Sequence, residues 1–323
     1  MPPAANFATA PRGVDFDTYK RLGQTDAMAD LEARAVRAFE TLGVLMTNTC
    51  INYQTVQPAT RNEHVAYGDT GVVIYSNSVC GARSNFEGGP SALSAGITGR
   101  TPRYGFHLPQ QRLATLHVRV EDTPATLNEW GALGGVIGRI AGNYWAVPVI
   151  EGIEGAPGSD ALKHFGAAMA SFGSIALFHL VGLTPEASRL ADVAPDVKSL
   201  PSQRVSRADF TALQQSYHST DEVDVVVFSA PQLSLLELRD IAALCDGRNF
   251  KKPLIAITSP QIKPDSDHMG FTQTIEDAGG QVLSGMCFYQ SYAREMAEAN
   301  GWRRLATNSA KLTNILGGYG YKP

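Results

Sequence analysis

The stretch "NSVCGARSNFEGGP", residues 77–90, gathers a thiol, a guanidinium and a carboxylate on a run closed by Gly-Gly-Pro. It is too polar for a core strand and too rich in glycine for a helix interior, so it reads as a loop built around something it holds. Three further cysteines complete the set of thiols. Cys50 lies in the polar "TNTCINY", and Cys287 sits in "QVLSGMCFY", at the end of an apolar run. Cys245 falls on the apolar stripe of "LRDIAALCDG" and reads as a buried small residue. No Cys-x-x-Cys pair occurs, so the spacing carries no zinc signature. A composite site of three distant thiolates, Cys50, Cys80 and Cys287, is compatible with the spacing, which says no more than that.

The elements that must position these residues follow from periodicity. "MADLEARAVRAFETLG", residues 28–43, has apolar residues at helical spacing and ends on a glycine. "TGVVIYSNSV" is a β-rich run that delivers the chain into the loop, and "RLATLHVRVE" alternates like a half-buried strand. "LNEWGALGGVIGRIAG" resembles a dinucleotide loop only superficially, because no strand precedes it and no acidic residue follows at the required distance. It reads as a closely packed helix. "KHFGAAMASFGSIALFHLVGLTPEA" gives a helix, a buried strand and a helix start at Thr-Pro-Glu.

The last third alternates strand and helix: "VDVVVFSAP", "SLLELRDIAALCDG", "KPLIAITSP", "MGFTQTIEDAGG", "QVLSGMCFY". Such a rhythm predicts an α/β fold, a parallel sheet with helices on both faces. Ligands then gather beyond the carboxyl ends of the strands, at Ser229–Gln232, Thr258–Pro260 and Met286–Phe288. The polar, proline-punctuated "APDVKSLPSQRVSRADF" divides the chain into residues 1–195 and 196–323. The chain has 323 residues, is 18% charged and carries a net charge of −4, with no basic face for nucleic acid. No eighteen-residue apolar run suggests a membrane span, and the N-terminus lacks the apolar centre of a signal peptide, so a cytoplasmic protein is expected.

"TNTCINYQ", "NEHVAYGDTGVVIYSNSVCGARSNFEGGPSALSAGITGRTPRYGFH", "LVGLTPEA", "VVVFSAPQLSLLEL" and "LATNSAKLTNI" together resemble the large, catalytic portion of the aconitase X family, from about Val14 onward. The resemblance implies an aconitase-like α/β fold and a hydro-lyase. It is read as nearest to the branch acting on cis-3-hydroxy-L-proline, with mevalonate 5-phosphate dehydration as the alternative and an inactive scaffold subunit as a third. It also implies an iron–sulfur centre beside the site. Cys50, with Tyr53 three positions on, matches the family's Thr-Cys-x-x-Tyr motif, and Cys287 matches the late cysteine. Many relatives carry Gly-Cys-Pro-His where this chain has Ser229-Ala230-Pro231-Gln232, while Cys80 stands where many have an apolar residue. The paired loss and gain imply that Cys50, Cys80 and Cys287 hold a small cluster, of the 2Fe–2S type. The resemblance further implies an α/β segment ahead of the matched part. It also implies a small swivelling domain, fused or on a partner subunit, that supplies a serine base. The chain alone is therefore expected to be an incomplete enzyme.

Dehydration removes a weakly acidic proton from the carbon bearing the carboxylate and expels hydroxide from its neighbour, so the site needs a base, a cation and an acid or metal. Arg83 and Lys311 are the candidate cations, and Arg83 can grip a carboxylate through two hydrogen bonds. Glu63 and His64 are candidates for acid or base work. Tyr53, Ser84, Asn85, Glu87, Asn308 and Ser309 are expected to orient the substrate. Lys311, in "LATNSAKLTNI", faces the crevice of Cys287 if the sheet rule holds, or water if Asn308 or Ser309 merely caps a helix. His107, His117, His164, His179, His218 and His268 show no comparable clustering and read as structural.

Overall fold

The computed structural model describes residues 8–217, 222–245 and 247–322; His218 lies outside them. The chain forms two compact units, one of Gln57–Tyr217 and one of Met1–Val56 with His218–Pro323. The division expected at 195/196 does not coincide with these limits. The polar segment there carries a strand that pairs inside the first of these units, so its fate is set by main-chain hydrogen bonding rather than by its composition.

The second unit opens with α1 (Asp26–Thr41), capped by Thr25, whose hydroxyl accepts from the Met28 N–H at 3.3 Å. Gly43 beyond it takes φ 74°, the left-handed turn anticipated from the sequence.

The Gln57–Tyr217 unit contains α2 (Thr70–Ser78), α3 (Gly88–Thr98), β1 (Leu116–Val120), α4 (Leu127–Ala141), β2 (Pro148–Glu151), α5 (Ser159–Gly173), β3 (His179–Leu180), α6 (Leu190–Val193), β4 (Ser202–Val205) and α7 (Arg207–Ser216). Its four strands are parallel in the order β3-β2-β1-β4. The glycine-rich segment is the helix α4, and its glycines let α5 approach. A Cβ on Gly134 would stand 2.2 Å from the Phe165 carbonyl oxygen, a contact no side chain can make.

Two expectations fail in this unit. "TGVVIYSNSV" is not a strand but the helix α2, capped by Asp69, whose carboxylate accepts from the Gly71 and Val72 N–H groups at 2.8 and 3.1 Å. Every residue from Gly71 to Ser78 is buried, so the helix has no polar face to betray its period. Thr-Pro-Glu starts no helix either. The Thr184 hydroxyl bonds back to the Leu180 N–H and C=O, the Gly182 N–H donates to the Ala187 carbonyl, and the segment closes into turns.

The rest of the second unit runs β5 (Val225–Leu233), α8 (Leu235–Cys245), β6 (Leu254–Thr258), α9 (Lys263–His268), α10 (Phe271–Asp277), β7 (Gly280–Ser284), α11 (Ala293–Asn300), β8 (Leu305–Ala306) and α12 (Ala310–Leu316). The sheet is parallel in the order β7-β6-β5-β8. Alternation along β6 shows that both faces are covered. Leu254 and Ala256 pack with Leu238, Cys245 and Ile275 of α8 and α10, while Ile255 and Ile257 pack with Met296 and Leu312 of α11 and α12. Cys245 belongs to that apolar layer, its thiol turned to the Ile241 carbonyl at 3.3 Å.

Candidate active site

In the β5–β8 sheet, β5 loses its ladder before it ends. Phe228 pairs with Ala256, but the next pairing joins Leu233 to Thr258. The residues between them, Ser229–Gln232, bulge out of register and turn their polar groups to neighbouring segments. The Ser229 hydroxyl accepts from the Phe288 N–H at 3.3 Å, and the Ala230 carbonyl accepts from the Ser309 hydroxyl at 2.6 Å. Gln232, fully buried, donates from its side-chain amide to the carbonyls of Asn48 (3.3 Å) and Met286 (3.0 Å). Its side-chain carbonyl accepts from the Thr49 hydroxyl (2.7 Å) and the Cys50 N–H (3.3 Å), and its own backbone N–H points at the Cys50 sulfur at 3.4 Å. One glutamine thus ties the segment of Cys50 to that of Cys287. In the sequence Gln232 stands only as the last residue of a strand end, opposite the histidine of the Gly-Cys-Pro-His that many relatives carry, and nothing there announces these bonds.

Lys311 follows directly. Ser309 caps α12, accepting from the Leu312 N–H at 3.1 Å, yet Lys311 is only 4% exposed, with Nζ 5.5 Å from the centre of the Tyr289 ring. Capping and burial coexist, so the choice posed by the sequence was a false one. Tyr53 lies buried in a single helical turn, Asn52–Gln54, close behind Cys50, and Asn308 is half-buried.

The other unit holds the remaining candidates. The segments 62–65 and 81–83 run side by side: the Val65 N–H donates to the Arg83 carbonyl at 3.0 Å and the Arg83 N–H to that of Glu63 at 2.8 Å. Arg83 directs its guanidinium at Asn62 Oδ1 (3.1 Å) and the His107 carbonyl (3.4 Å). Ser84 and Asn85 are fully buried. Asn85 Oδ1 accepts from the Phe106 N–H (2.9 Å) and the Tyr144 hydroxyl (3.2 Å), and a Cβ on Gly105 (φ +59°) would meet that oxygen at 2.2 Å. Asn85 therefore positions the 104–107 loop, while the Ser84 hydroxyl donates to the Asn85 carbonyl at 3.0 Å. Glu63 is spent locally, its carboxylate accepting from the Thr60 N–H and hydroxyl. Cys80 is half-buried just past α2, and desolvation pushes its thiol up to about 11.

His107 is the residue most clearly misread. It is not an isolated structural histidine: its Nδ1 lies 2.8 Å from Nδ1 of His64, and its Nε2 lies 3.7 Å from Glu87 Oε1. Forty-three residues separate the two histidines, and no local pattern joins them.

Three family models match in succession: the aconitase X first domain over residues 5–110, the second over 114–215 and the third over 223–323. The chain belongs to the aconitase X family. The similar "Phosphomevalonate dehydratase large subunit" of Methanothermobacter thermautotrophicus is 37% identical over 95% of this chain and 74% of its own length. The "Cis-3-hydroxy-L-proline dehydratase" of Pseudomonas aeruginosa is 30% identical over 94% of this chain and 53% of its own length. The crystal structure of Thermococcus kodakaraensis aconitase X in its holo form superposes with a TM-score of 0.88 at 30% identity, covering 99% of this chain and 78% of that one. By identity the relative named for phosphomevalonate is the nearer of the two, against the order read from the sequence motifs.

An aconitase X fold raises the question of whether the thiols fit an iron–sulfur centre. Cys50 and Cys287 share the Gln232 turn, and the Cys50 sulfur receives a backbone N–H as a thiolate ligand would. Cys80 belongs to the other unit. Within either unit, no three His, Cys, Asp or Glu side chains among the described residues are grouped to hold a metal. Two of the three expected donors, Cys50 and Cys287, thus sit on segments that Gln232 joins within one unit. No described helix is long and apolar enough to cross a membrane.

Proposed function

We propose that this chain is the large, catalytic portion of an aconitase X hydro-lyase that dehydrates cis-3-hydroxy-L-proline to Δ1-pyrroline-2-carboxylate, working with a small swivelling subunit. The observation that carries the reading is the interrupted end of β5, which binds the Cys50, Cys287 and Ser309 segments together next to the buried Lys311. The place is the carboxyl edge of a parallel sheet, where α/β proteins build their sites. Support for the hydroxyproline substrate comes from Cys80 and the Ser-Ala-Pro-Gln segment, the two departures that set this chain apart from many of its relatives.

The chemistry asks little more than these side chains supply. The proton on the carboxylate-bearing carbon passes to a base, the electron pair forms the double bond, and the neighbouring hydroxyl leaves with a proton as water. Lys311 stabilises the carbanion and its carboxylate, because a desolvated ammonium acts at low dielectric. Arg83 holds a carboxylate through its fork of donors. The enamine produced tautomerises in water. We assign Cys50, Cys80 and Cys287 as the thiolates of an iron–sulfur centre of the 2Fe–2S type, which when bound supplies a Lewis acid for the leaving oxygen.

A second reading, dehydration of mevalonate 5-phosphate, is favoured by the higher identity to the relative of that name. Both substrates are 3-hydroxy carboxylates and call for the same proton and hydroxyl transfers. The test is an assay of the chain with its small subunit on each compound. Turnover of cis-3-hydroxy-L-proline is expected; turnover of mevalonate 5-phosphate alone would overturn the substrate assignment, and turnover of neither would favour a scaffold.

A further inference from the structure

We infer that Glu87, His107 and His64 form a proton relay whose exchanging end is Nε2 of His64. The inference rests on the hydro-lyase reading for its use, and on geometry within one unit for its existence.

Glu87 precedes α3 as its cap residue, where the helix N-terminus favours a carboxylate, and its Oε2 accepts from the Ser91 hydroxyl at 2.7 Å. Its other oxygen, Oε1, faces His107 Nε2 at 3.7 Å. Both side chains are almost wholly buried, at 3% and 2% exposure, and neither of these two atoms has a hydrogen-bond partner. Buried polar atoms are normally satisfied, so a facing acid and imidazole poised just beyond bonding distance point to a working pair. On the far side of the ring, His107 Nδ1 meets His64 Nδ1 at 2.8 Å with the rings inclined by 19°. His64 is exposed.

Two ring nitrogens at hydrogen-bond distance can share one proton and no more. The Glu87 carboxylate selects the His107 tautomer with hydrogen on Nε2. His107 Nδ1 is then a lone pair that accepts the Nδ1–H of His64, and His64 Nε2 keeps its lone pair on an exposed residue. When that nitrogen takes up a proton, the Nδ1 hydrogen of His64 crosses to His107 Nδ1. The charge then reaches His107 as an imidazolium against the Glu87 carboxylate, a transient state because burial disfavours it. One proton enters, one moves along the bond, and nothing else is consumed. The opposing groups are Arg83, whose guanidinium bonds the His107 carbonyl, and Arg112, which bonds the Phe106 carbonyl at 3.0 Å. Burial, followed by the neighbouring His64, holds His107 below its ordinary value, so the relay rests empty. His107 and Glu87 are positioning residues in this scheme.

The test is long-range ¹H–¹⁵N spectroscopy on the imidazole-labelled chain. The unaltered protein should show His107 protonated at Nε2 and His64 unprotonated there, with the pair taking up a single proton. Glu87→Gln should lower the midpoint of that uptake by on the order of one pH unit. Independent titration of the two rings, or the opposite tautomer at His107, would overturn the relay without any substrate being known. With the small subunit and a turned-over substrate, Glu87→Gln should lower kcat about tenfold or more, leave KM within twofold and shift the acid limb of the pH profile. An unaltered limb and kcat would equally overturn it.

Discussion

Gln232 grips Cys50 from two directions: its backbone N–H donates to the sulfur at 3.4 Å while its side-chain carbonyl accepts the Cys50 N–H at 3.3 Å. The same amide also serves Thr49, Asn48 and Met286, so one side chain fixes both thiol-bearing segments. Gln232→Leu keeps the volume and leaves these groups unsatisfied in a dry interior. It should destabilise the fold by about 3 kcal/mol or more, read as the shift of the urea midpoint at constant slope. A midpoint unchanged from the parent would show that the network contributes nothing.

Lys311 offers a cleaner separation of charge from packing than the alanine variant would. The residue is 4% exposed, so truncation to alanine opens a gap beside Tyr289 and lowers the melting temperature as well as the rate. Lys311→Met preserves the bulk. Its kcat should fall by about a hundredfold through loss of the stabilising charge, with the melting temperature moving by a few degrees at most. Full activity would assign this ammonium to packing alone.

The thiol assignment is read in iron and acid-labile sulfide. Cys80→Ser should lose the visible absorption of the purified protein, and Cys245→Ser should keep it, since Cys245 lies among Leu238, Ile241 and Ile275. An unchanged spectrum for Cys80→Ser would remove Cys80 from the ligand set.

His179 sets an acid limit on stability. It is 1% exposed, its Nε2 lies 2.8 Å from the Arg112 carbonyl, and burial lowers its affinity for a second proton. The unfolded chain binds that proton at the ordinary histidine value of about 6.5 and the folded chain does not, so stability is full above this pH and falls as pH drops below it. His179→Gln should flatten the slope by at most about 1.4 kcal/mol per pH unit, measured by denaturant midpoints from pH 7 to 5. A parent protein with no acid slope would contradict the assignment.

The second sheet was legible in outline because β6 and β7 are short apolar runs bounded by turn signals and α8 and α10 keep helical spacing between them, but α9 and the end of β7 at Ser284, short of Cys287, were not. Helix α2 was not. Val72, Val73 and Ile74 favour a strand locally, and burial on every side erases the amphipathic signal, leaving only the Asp69 cap as a clue. At the candidate site, the thiols and Lys311 were visible as residue types. Their partners were not. Gln232 reaches Thr49 and Cys50 across more than 180 positions, and His107 meets His64 across 43. Contacts of that range are made by the fold, and a linear pattern has no means of recording them.

The bulge in β5 has a meaning for how such a site can vary. Between two consecutive pairings, β5 advances from Phe228 to Leu233 while β6 advances only from Ala256 to Thr258. Four residues of β5 thus stand against the single Ile257 of β6, a cassette inserted between the Phe228–Ala256 and Leu233–Thr258 pairings. The pairings on either side fix where the cassette starts and stops, while its contents answer to the segments that they bond, those of Cys50, Met286, Phe288 and Ser309. A substitution inside the cassette is thereby transmitted first to the two thiol-bearing segments, and reaches the sheet only through them.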